Sequence, residues 1–566
     1  MGPDSTNGEI EGGVLGGGSG ALWSARRSSA SGLFTTLALT AAIACAAGPV
    51  AAQTPGTADA APRPAAASAP ITGFSPEAAS TQRAFEAAAM RRIRPTTLDS
   101  FSYALTREAH IAGTPAQARS RDWVLERMRA AGLRAEAPEY ELYLPHAQRV
   151  GLAITAPEER RLELGEEPVD GDPTSGLPHY PWANGYSGRG TAESDVVYVN
   201  YGLHEDYAAL DSMGVEVEGR VAIARYGRSY RGVKAELAER HGAVALIMYS
   251  DPADDGFGRG PVYPYGTWRP PTGAQRGSIL GGTGDPTTPG WPSVEGARRV
   301  EPGSAPGTWV ASIPVIPAGY GTVEPILAGL GGPVAPDGWQ GGLAFDYQVG
   351  PGPVRVSATV EDDRATNPYK TVWNTVAWLP GSDRPDEWVV VGGHRDAWGP
   401  GANDNMSGTA AVTAAATALS RLAAEDGIRP RRTIAFATWD AEEWGLIGST
   451  EWVEEHAEEL SARAVAYLNL DAIASGPDFG SGASPSLKRF VREVARAVPA
   501  PAPVDTADVA AGAADGADGP DEPDEPDEAD EPDEPDEPDE PDEPDESDES
   551  DESDESDESD ESDESD

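Results

Sequence analysis

Cysteine is almost absent from this 566-residue chain, the single one being Cys45. The body therefore has no internal disulfide and no thiolate metal site, so any metal must be held by His, Asp and Glu. Basic residues are also scarce. Lys and Arg total 42 against 94 Asp and Glu, a formal net charge of −52, which leaves no basic face for nucleic acid. The imbalance is uneven: from Asp505 onward there are 35 acidic and no basic residues, leaving 59 acidic against 42 basic before it, a balance of −17. Long apolar runs are missing too, apart from residues 33–48 (LFTTLALTAAIACAAG) behind Arg26 and Arg27. That run falls short of the roughly 20 residues of a membrane span, so no stable span is expected. With Val50-Ala51-Ala52 before Gln53 it reads as a secretory signal cleaved near Ala52, which makes the chain an exported one, periplasmic or extracellular. A second reading takes Ala42-Ile43-Ala44-Cys45 as a lipoprotein box anchored through Cys45, although Ala42 is a poor residue for its first position.

The length exceeds what one core usually supports, so two or more domains are expected. After the targeting segment (1–52), residues 53–73 form an Ala/Pro/Thr-rich flexible leader. A larger α/β domain begins at 74–165. Its helical spacing runs over 76–93, a second helix over 115–131 closes at Gly132, and the alternating stretch AEAPEYELYLP reads as a strand. Over 166–351 Gly and Pro become frequent. Short strands at 195–200, 219–225 and 243–249, with one helix over 233–241, suggest an inserted β-rich domain. The α/β domain resumes over 352–503. There TVWNTVAWLP, WVVVGGH, RTIAFATW and AVAYLNLD alternate with helical patterns at 405–424 and 443–460, predicting a mainly parallel sheet sandwiched by helices. The tail, 504–566, is a (DEP)n then (DES)n repeat whose composition predicts disorder.

Three stretches carry the chemistry: VVVGGHRDAWGPGANDNMSG, FATWDAEEWGLIGSTEW and YLNLD. His394 and Asp404 lie ten residues apart, Glu442 and Glu443 are adjacent, and Asp471 follows 28 residues later. His394, Asp440 to Glu443, and Asp471 each stand where an apolar strand run stops, and ligands of parallel sheets gather at the carboxyl ends of strands. A two-metal hydrolytic site needs one carboxylate facing two ions roughly 3.5–4 Å apart and a separate carboxylate to move a water's proton. Asp404, in a Gly/Asn turn, suits the bridge. Of Glu442 and Glu443, one can bind metal while the other reaches the water. Asp396 is placed to orient the His394 imidazole and raise its basicity. Singly, an HxD at a strand end or an EE pair on a helix face is commonplace; together at this spacing they point to metal-assisted hydrolysis.

These stretches resemble the zinc exopeptidase clan, closest to its glutamate carboxypeptidase II and transferrin receptor branch. DVVYVNYG, VAIARYGRSYRGVK, YSDPADDG and GAQRGSILGGTGDPTTPGWPS are similar to that branch's protease-associated apical domain, so 74–165 and 352–503 would be a peptidase domain interrupted over 166–351. The resemblance spans about 75–500. It implies two Zn2+ ions: Asp404 bridging, His394 and Asp471 on one, Glu443 on the other, and Glu442 as general base. Arg231 matches an arginine that reads acidic substrate side chains. Its partner asparagine is replaced by Ser278, which weakens that preference, and a surface arginine in a β domain is more often structural. Thr288, Trp291, Glu451 and Glu454 match a structural Ca2+ site in which two ligands are backbone carbonyls, although the two glutamates also suit an exposed helix face. The family's second zinc takes a further histidine well beyond Asp471, followed by a helical dimerisation domain. Here the last histidine is His456 and acidic repeat follows, so the family's homodimer is not carried over.

The expected activity is that of an exported zinc exopeptidase cleaving a terminal residue from a peptide. The alternative is a transferrin-receptor-like binding scaffold without turnover, favoured by the missing histidine. A third reading makes the acidic tail a secreted calcium or surface-adhesion module.

Overall fold

A computed structural model describes residues 71–476 and 479–498. Cys45, the apolar run 33–48, most of the leader and the acidic repeat lie outside the described residues. Helices α1 (Pro76–Met90), α2 (Pro95–Leu105) and α3 (Pro115–Ala130) come first. Proline opens each, where an N–H would have no helical partner, and Ser75 and Thr114 cap α1 and α3 by accepting from the Ala78 and Gln117 amides. Pro138 cannot donate to a ladder, so the stretch expected as one strand is two, β1 (Arg134–Glu136) and β2 (Glu139–Tyr143), in different sheets. Strands β3 (Ala147–Ala156) and β4 (Arg160–Leu162) follow.

The middle of the chain alternates β5 (Gly190–Tyr198), α4 (His204–Met213), β6 (Val221–Arg225), α5 (Arg231–Arg240), β7 (Ala245–Tyr249), β8 (Val315–Ala318) and α6 (Tyr320–Ala328). Every residue of β6 and β7 is buried, as the continuous apolar runs of central parallel strands require. With β9 (Arg355–Asp362) they form a seven-stranded sheet of order β4-β3-β9-β5-β6-β7-β8, parallel from β5 to β8 and antiparallel elsewhere. The sheet takes β3, β4 and β9 from outside residues 166–351, so the β-rich region is hydrogen-bonded to flanking chain on both sides.

Strands β10 (Tyr369–Trp373), β11 (Thr375–Leu379) and β12 (Arg384–His394) return the chain. Then come α7 (Gly408–Glu425), β13 (Arg432–Trp439), α8 (Ile447–Glu455), α9 (Ala457–Arg463), β14 (Ala464–Asn469) and α10 (Lys488–Ala497). The second sheet has the order β1-β11-β13-β12-β14. Its parallel part is β13, β12 and β14, the strands with ionisable groups at their carboxyl ends; β11 and β1 extend it antiparallel. Alanines on α7 let the helix approach closely, and Val412 and Ala416 pack with Val124, Met128 and Phe436 between helices and sheet. The helix expected over 443–460 starts later and breaks: Ala441 and Leu446 take positive φ (55° and 56°), so α8 begins at Ile447, and His456 separates it from α9.

A fully buried ion pair joins the strand ends to α3. Arg395 donates to the Ser120 hydroxyl (3.0 Å), the Thr438 hydroxyl (2.7 Å) and the Trp373 carbonyl (2.6 Å), and its Nη2 lies 3.5 Å from Asp440. Asp440 accepts from the Gln117 amide (2.9 Å) and the Trp373 and Ala441 backbone N–H groups (3.1 and 2.9 Å). Burial pushes its carboxyl up to about 6, with Arg395 opposing. Arg395→Leu leaves that carboxylate uncompensated and is expected to cost about 3–5 kcal/mol in urea unfolding; a loss under about 1 kcal/mol, the range of a surface pair, would refute this role.

Candidate metal centre

The parallel register brings His394 beside Trp439 at the end of β13, and Leu470 closes on the Gly392 carbonyl, so His394, the turn after β13 and Asp471 open on one side. The imidazole is buried. Its Nδ1 donates to the Asp396 carbonyl at 2.9 Å, which in the neutral ring leaves Nε2 as an acceptor. That lone pair faces the carboxylate oxygens of Asp404 (3.0 Å), Asp471 (3.2 Å) and Glu442 (3.7 Å). Acceptor against acceptors is repulsive unless a proton or a cation lies between them. One atom each from His394, Asp404 and Asp471 lies within 4.8 Å of the others, the spread of a shared ion. Nitrogen and carboxylate donors of this kind fit a divalent metal of the zinc type.

The ionisation pattern says the same. Burial lowers the His394 pKa, but Glu442, Asp396, Asp404 and Asp471 outweigh it and hold the imidazole well above its usual value. Glu442 is pushed up to about 7 by burial, with His394 opposing and Asp471 adding to the rise. Glu443 is raised well above its usual range by burial, then by Asp404. The cluster thus keeps protons that its isolated side chains would release at neutral pH, and a metal would displace them.

Asp396 raises the basicity of the imidazole and has a further part in the frame. Its backbone carbonyl orients the imidazole, while its carboxylate, 3.6 Å from Nδ1, accepts the backbone N–H groups of Glu442 (2.9 Å) and Glu443 (3.2 Å). That grip holds the acidic pair outside the helix. Two residues missed in the sequence complete the frame. Asn405, next to Asp404, donates to the carbonyls of His394 (3.3 Å) and Leu470 (2.9 Å) and accepts from Gly408 and Ala472, stapling β12, β14 and α7. Trp398 donates its indole N–H to Glu443 at 2.8 Å; its place four residues after His394 was the available signal.

The β-rich region reaches this wall. Gly185 bridges to Ser278, and a Cβ on Gly185 would meet Trp398 at 3.0 Å, so glycine lets the two regions close together. Arg231, at the start of α5, donates to the Ser278 carbonyl at 3.3 Å and helps keep Asp404 ionised. The Ser278 hydroxyl accepts from the Leu280 amide (3.0 Å) within its own turn.

A second acidic cluster gathers three of the four residues expected at a calcium site. Glu451 accepts from the Asp285 and Ser293 amides (2.8 and 2.6 Å), and Thr288 shares a hydrogen with Ser293 (2.5 Å). Glu454 has a buried Oε2 without a hydrogen-bond partner. The Trp291 indole turns away to the Arg298 carbonyl (2.7 Å), so only its backbone is available. Asp285, missed in the sequence, sits at the centre and is held by Arg299 at 3.0 Å. Burial raises Glu451 to about 8 and Glu454 to about 7.

Strand ends that direct ionisable groups onto one imidazole are the architecture of α/β metallopeptidases. Residues 374–519 match the sequence profile of Peptidase family M28 and residues 188–280 that of the PA domain, so the chain carries an M28 peptidase domain and a protease-associated domain. "Probable glutamate carboxypeptidase VP8" of Zea mays is 40% identical over 400 residues, covering 70% of this chain and 52% of that one. "Aminopeptidase NAALADL1" of Mus musculus is 33% identical over 418 residues, 70% of this chain and 55% of that one. A solved structure of a peptidase M28 precursor from Shewanella amazonensis superposes with a TM-score of 0.44 at 19% identity, over 74% of this chain and 80% of that chain. The chain spans about half the length of the curated relatives it matches.

Glutamates whose carboxyls are raised on folding contribute stability below their unfolded pKa, near 4.5, and lose it as pH rises through the folded value. His394, raised above its usual 6.5, acts in the same direction. Metal-free protein is therefore expected to lose Tm between about pH 5 and 8 through Glu442, Glu451 and Glu454, and Zn2+ or Ca2+ at pH 8 to restore it. A flat Tm over that range in chelator would contradict the shifts.

Proposed function

We propose that the chain is the metal-binding body of an exported, zinc-dependent exopeptidase that hydrolyses a terminal peptide bond, with Glu442 as general base. The observation that carries this reading is Nε2 of His394 turned toward the carboxylates of Asp404, Asp471 and Glu442. His394, Asp404 and Asp471 would hold Zn2+, and Glu443 is the residue placed to serve a second ion. Bound there, zinc would polarise the scissile carbonyl and make a water acidic enough to attack it. Glu442 takes the proton from that water and hands it to the leaving amine, a task suited to a carboxyl pushed up to about 7. Asp396 acts as a positioning residue by fixing the Glu442 and Glu443 amides, and Trp398 fixes the Glu443 carboxylate.

The peptidase domain is read as interrupted over 166–351, with the PA match at 188–280 in support. From that insert, Arg231 acts electrostatically on Asp404 and would favour peptides with an acidic side chain, less strongly with Ser278 beside it. Thr288, Glu451, Glu454 and the Trp291 backbone hold a structural Ca2+, for which the unpartnered Glu454 oxygen is the support. Export rests on the apolar run at 33–48. Among the described residues no helix is long and apolar enough to cross a membrane. A second reading, a binding scaffold without turnover, draws on His394 being the only imidazole in the donor group.

Metal analysis and peptide hydrolysis decide between them. Glu442→Gln is expected to keep bound zinc while losing about 10²–10⁴-fold in turnover, the usual contribution of a general base. Protein that holds one zinc or none and hydrolyses no peptide would sink the peptidase reading for this chain and leave the scaffold.

A further inference from the structure

A second ligand-sized feature lies apart from the carboxylate site. Where α1 turns into α2 and the C-terminal ends of α3 and α7 meet that corner, the described residues line a half-open hollow of about 590 Å³, within the range of small-molecule sites. Arg91, Arg92, Arg94, Arg127 and Arg421 line it, with Glu425 as the only acid. The chain before Asp505 carries a balance of −17, so five cations against Glu425 and its neighbour Asp426 run against the local average.

The fold accounts for two of the five. Arg92 pairs with Glu425 (3.1 Å) and Asp426 (2.6 Å), and Arg127 lies 3.6 Å over the Trp123 ring and donates to the Trp123 carbonyl. The side chains of Arg91, Arg94 and Arg421 make no ion pair, hydrogen bond or ring contact among the described residues. Their surroundings keep the hollow open. Ala414, Thr417 and Ala418 on α7 are too small to fill it, and Pro95 fixes the chain just after Arg94. The N-terminus of the 11-residue α2 has no side-chain cap and no acid in its first turn, so its amide dipoles add to the positive potential. Arg91, Arg94 and Arg421 are exposed, and an anion bound among them would offset their like-charge repulsion.

We propose that this cavity binds a compact multivalent oxyanion, a molecule carrying two or more phosphate or carboxylate groups, through Arg91, Arg94 and Arg421. Guanidinium forks pair bidentately with either group. Three unpartnered forks around one hollow select for several charges on one ligand over a single ion. The site is independent of the hydrolytic reading, since none of its residues belongs to the carboxylate cluster.

Isothermal titration of the full chain with pyrophosphate, and in a separate arm with citrate, tests this at about 0.15 M salt, where exposed charges are screened. Saturable one-to-one binding is expected for at least one of them, and the tighter arm assigns the phosphate or the carboxylate class. Arg94→Gln with Arg421→Gln should weaken it ten-fold or more, while Arg149→Gln with Arg431→Gln, two surface arginines elsewhere, should leave it unchanged. If the first pair unfolds, Arg421→Gln alone, on the exposed side of α7, carries the comparison with at least a three-fold loss. Absence of saturable binding in both arms, or an equal loss in the control pair, overturns the proposal.

Discussion

Three carboxylates crowd one imidazole nitrogen at the carboxyl ends of β12, β13 and β14, and most of the surrounding structure keeps those acids in place. Three carboxylates lie within 3.0 to 3.7 Å of one imidazole nitrogen, a disposition that free side chains would relax by rotating away. They do not, because each belongs to a backbone segment held elsewhere. Asn405 ties the Asp404 turn to two strands, Asp396 grips the amides of the acidic pair, and the Arg395–Asp440 pair anchors the turn from beneath. The groups are preorganised for a cation before one arrives, which is how a site lowers the cost of binding.

The inserted β-rich region is part of the same construction. Its parallel strands are buried in a core continuous with that of the flanking chain, and its sheet includes β3 and β9 from that chain. Its glycine at 185 permits contact with Trp398, whose indole nitrogen holds Glu443. The Trp398 indole that holds Glu443 is therefore set in one packed interface with Tyr180, Tyr186 and Trp444. A change in how the insert sits would alter the acidic pair.

Much of this was readable in the chain. Apolar runs ending at His394, Asp440 and Asp471 located three strand ends, because buried parallel strands are nearly continuous in apolar residues. What was illegible depended on partners distant in sequence. The helix expected to begin at Glu443 starts at Ile447 because Asp396, 46 and 47 residues away, holds the two amides; no local propensity records that. The stretch read as one strand breaks at Pro138, and that its halves join different sheets depends on partners far along the chain. Asp285 was invisible as the hub of the second acidic cluster, since its role rests on Tyr143, Ser293 and Arg299 rather than on any motif.

Strand β14 is the least supported member of its sheet. It pairs only with β12, sits at the edge, and leaves Val465 and Tyr467 exposed, yet it delivers Asp471. Elements with few buried contacts open at free energies well below that of global unfolding. The affinity of the centre for an ion is then discounted by whatever fraction of molecules have this strand detached, and an ion bound through Asp471 clamps it shut by mass action. Amide protection along 464–469 would serve as an internal gauge of occupancy, readable without following any reaction.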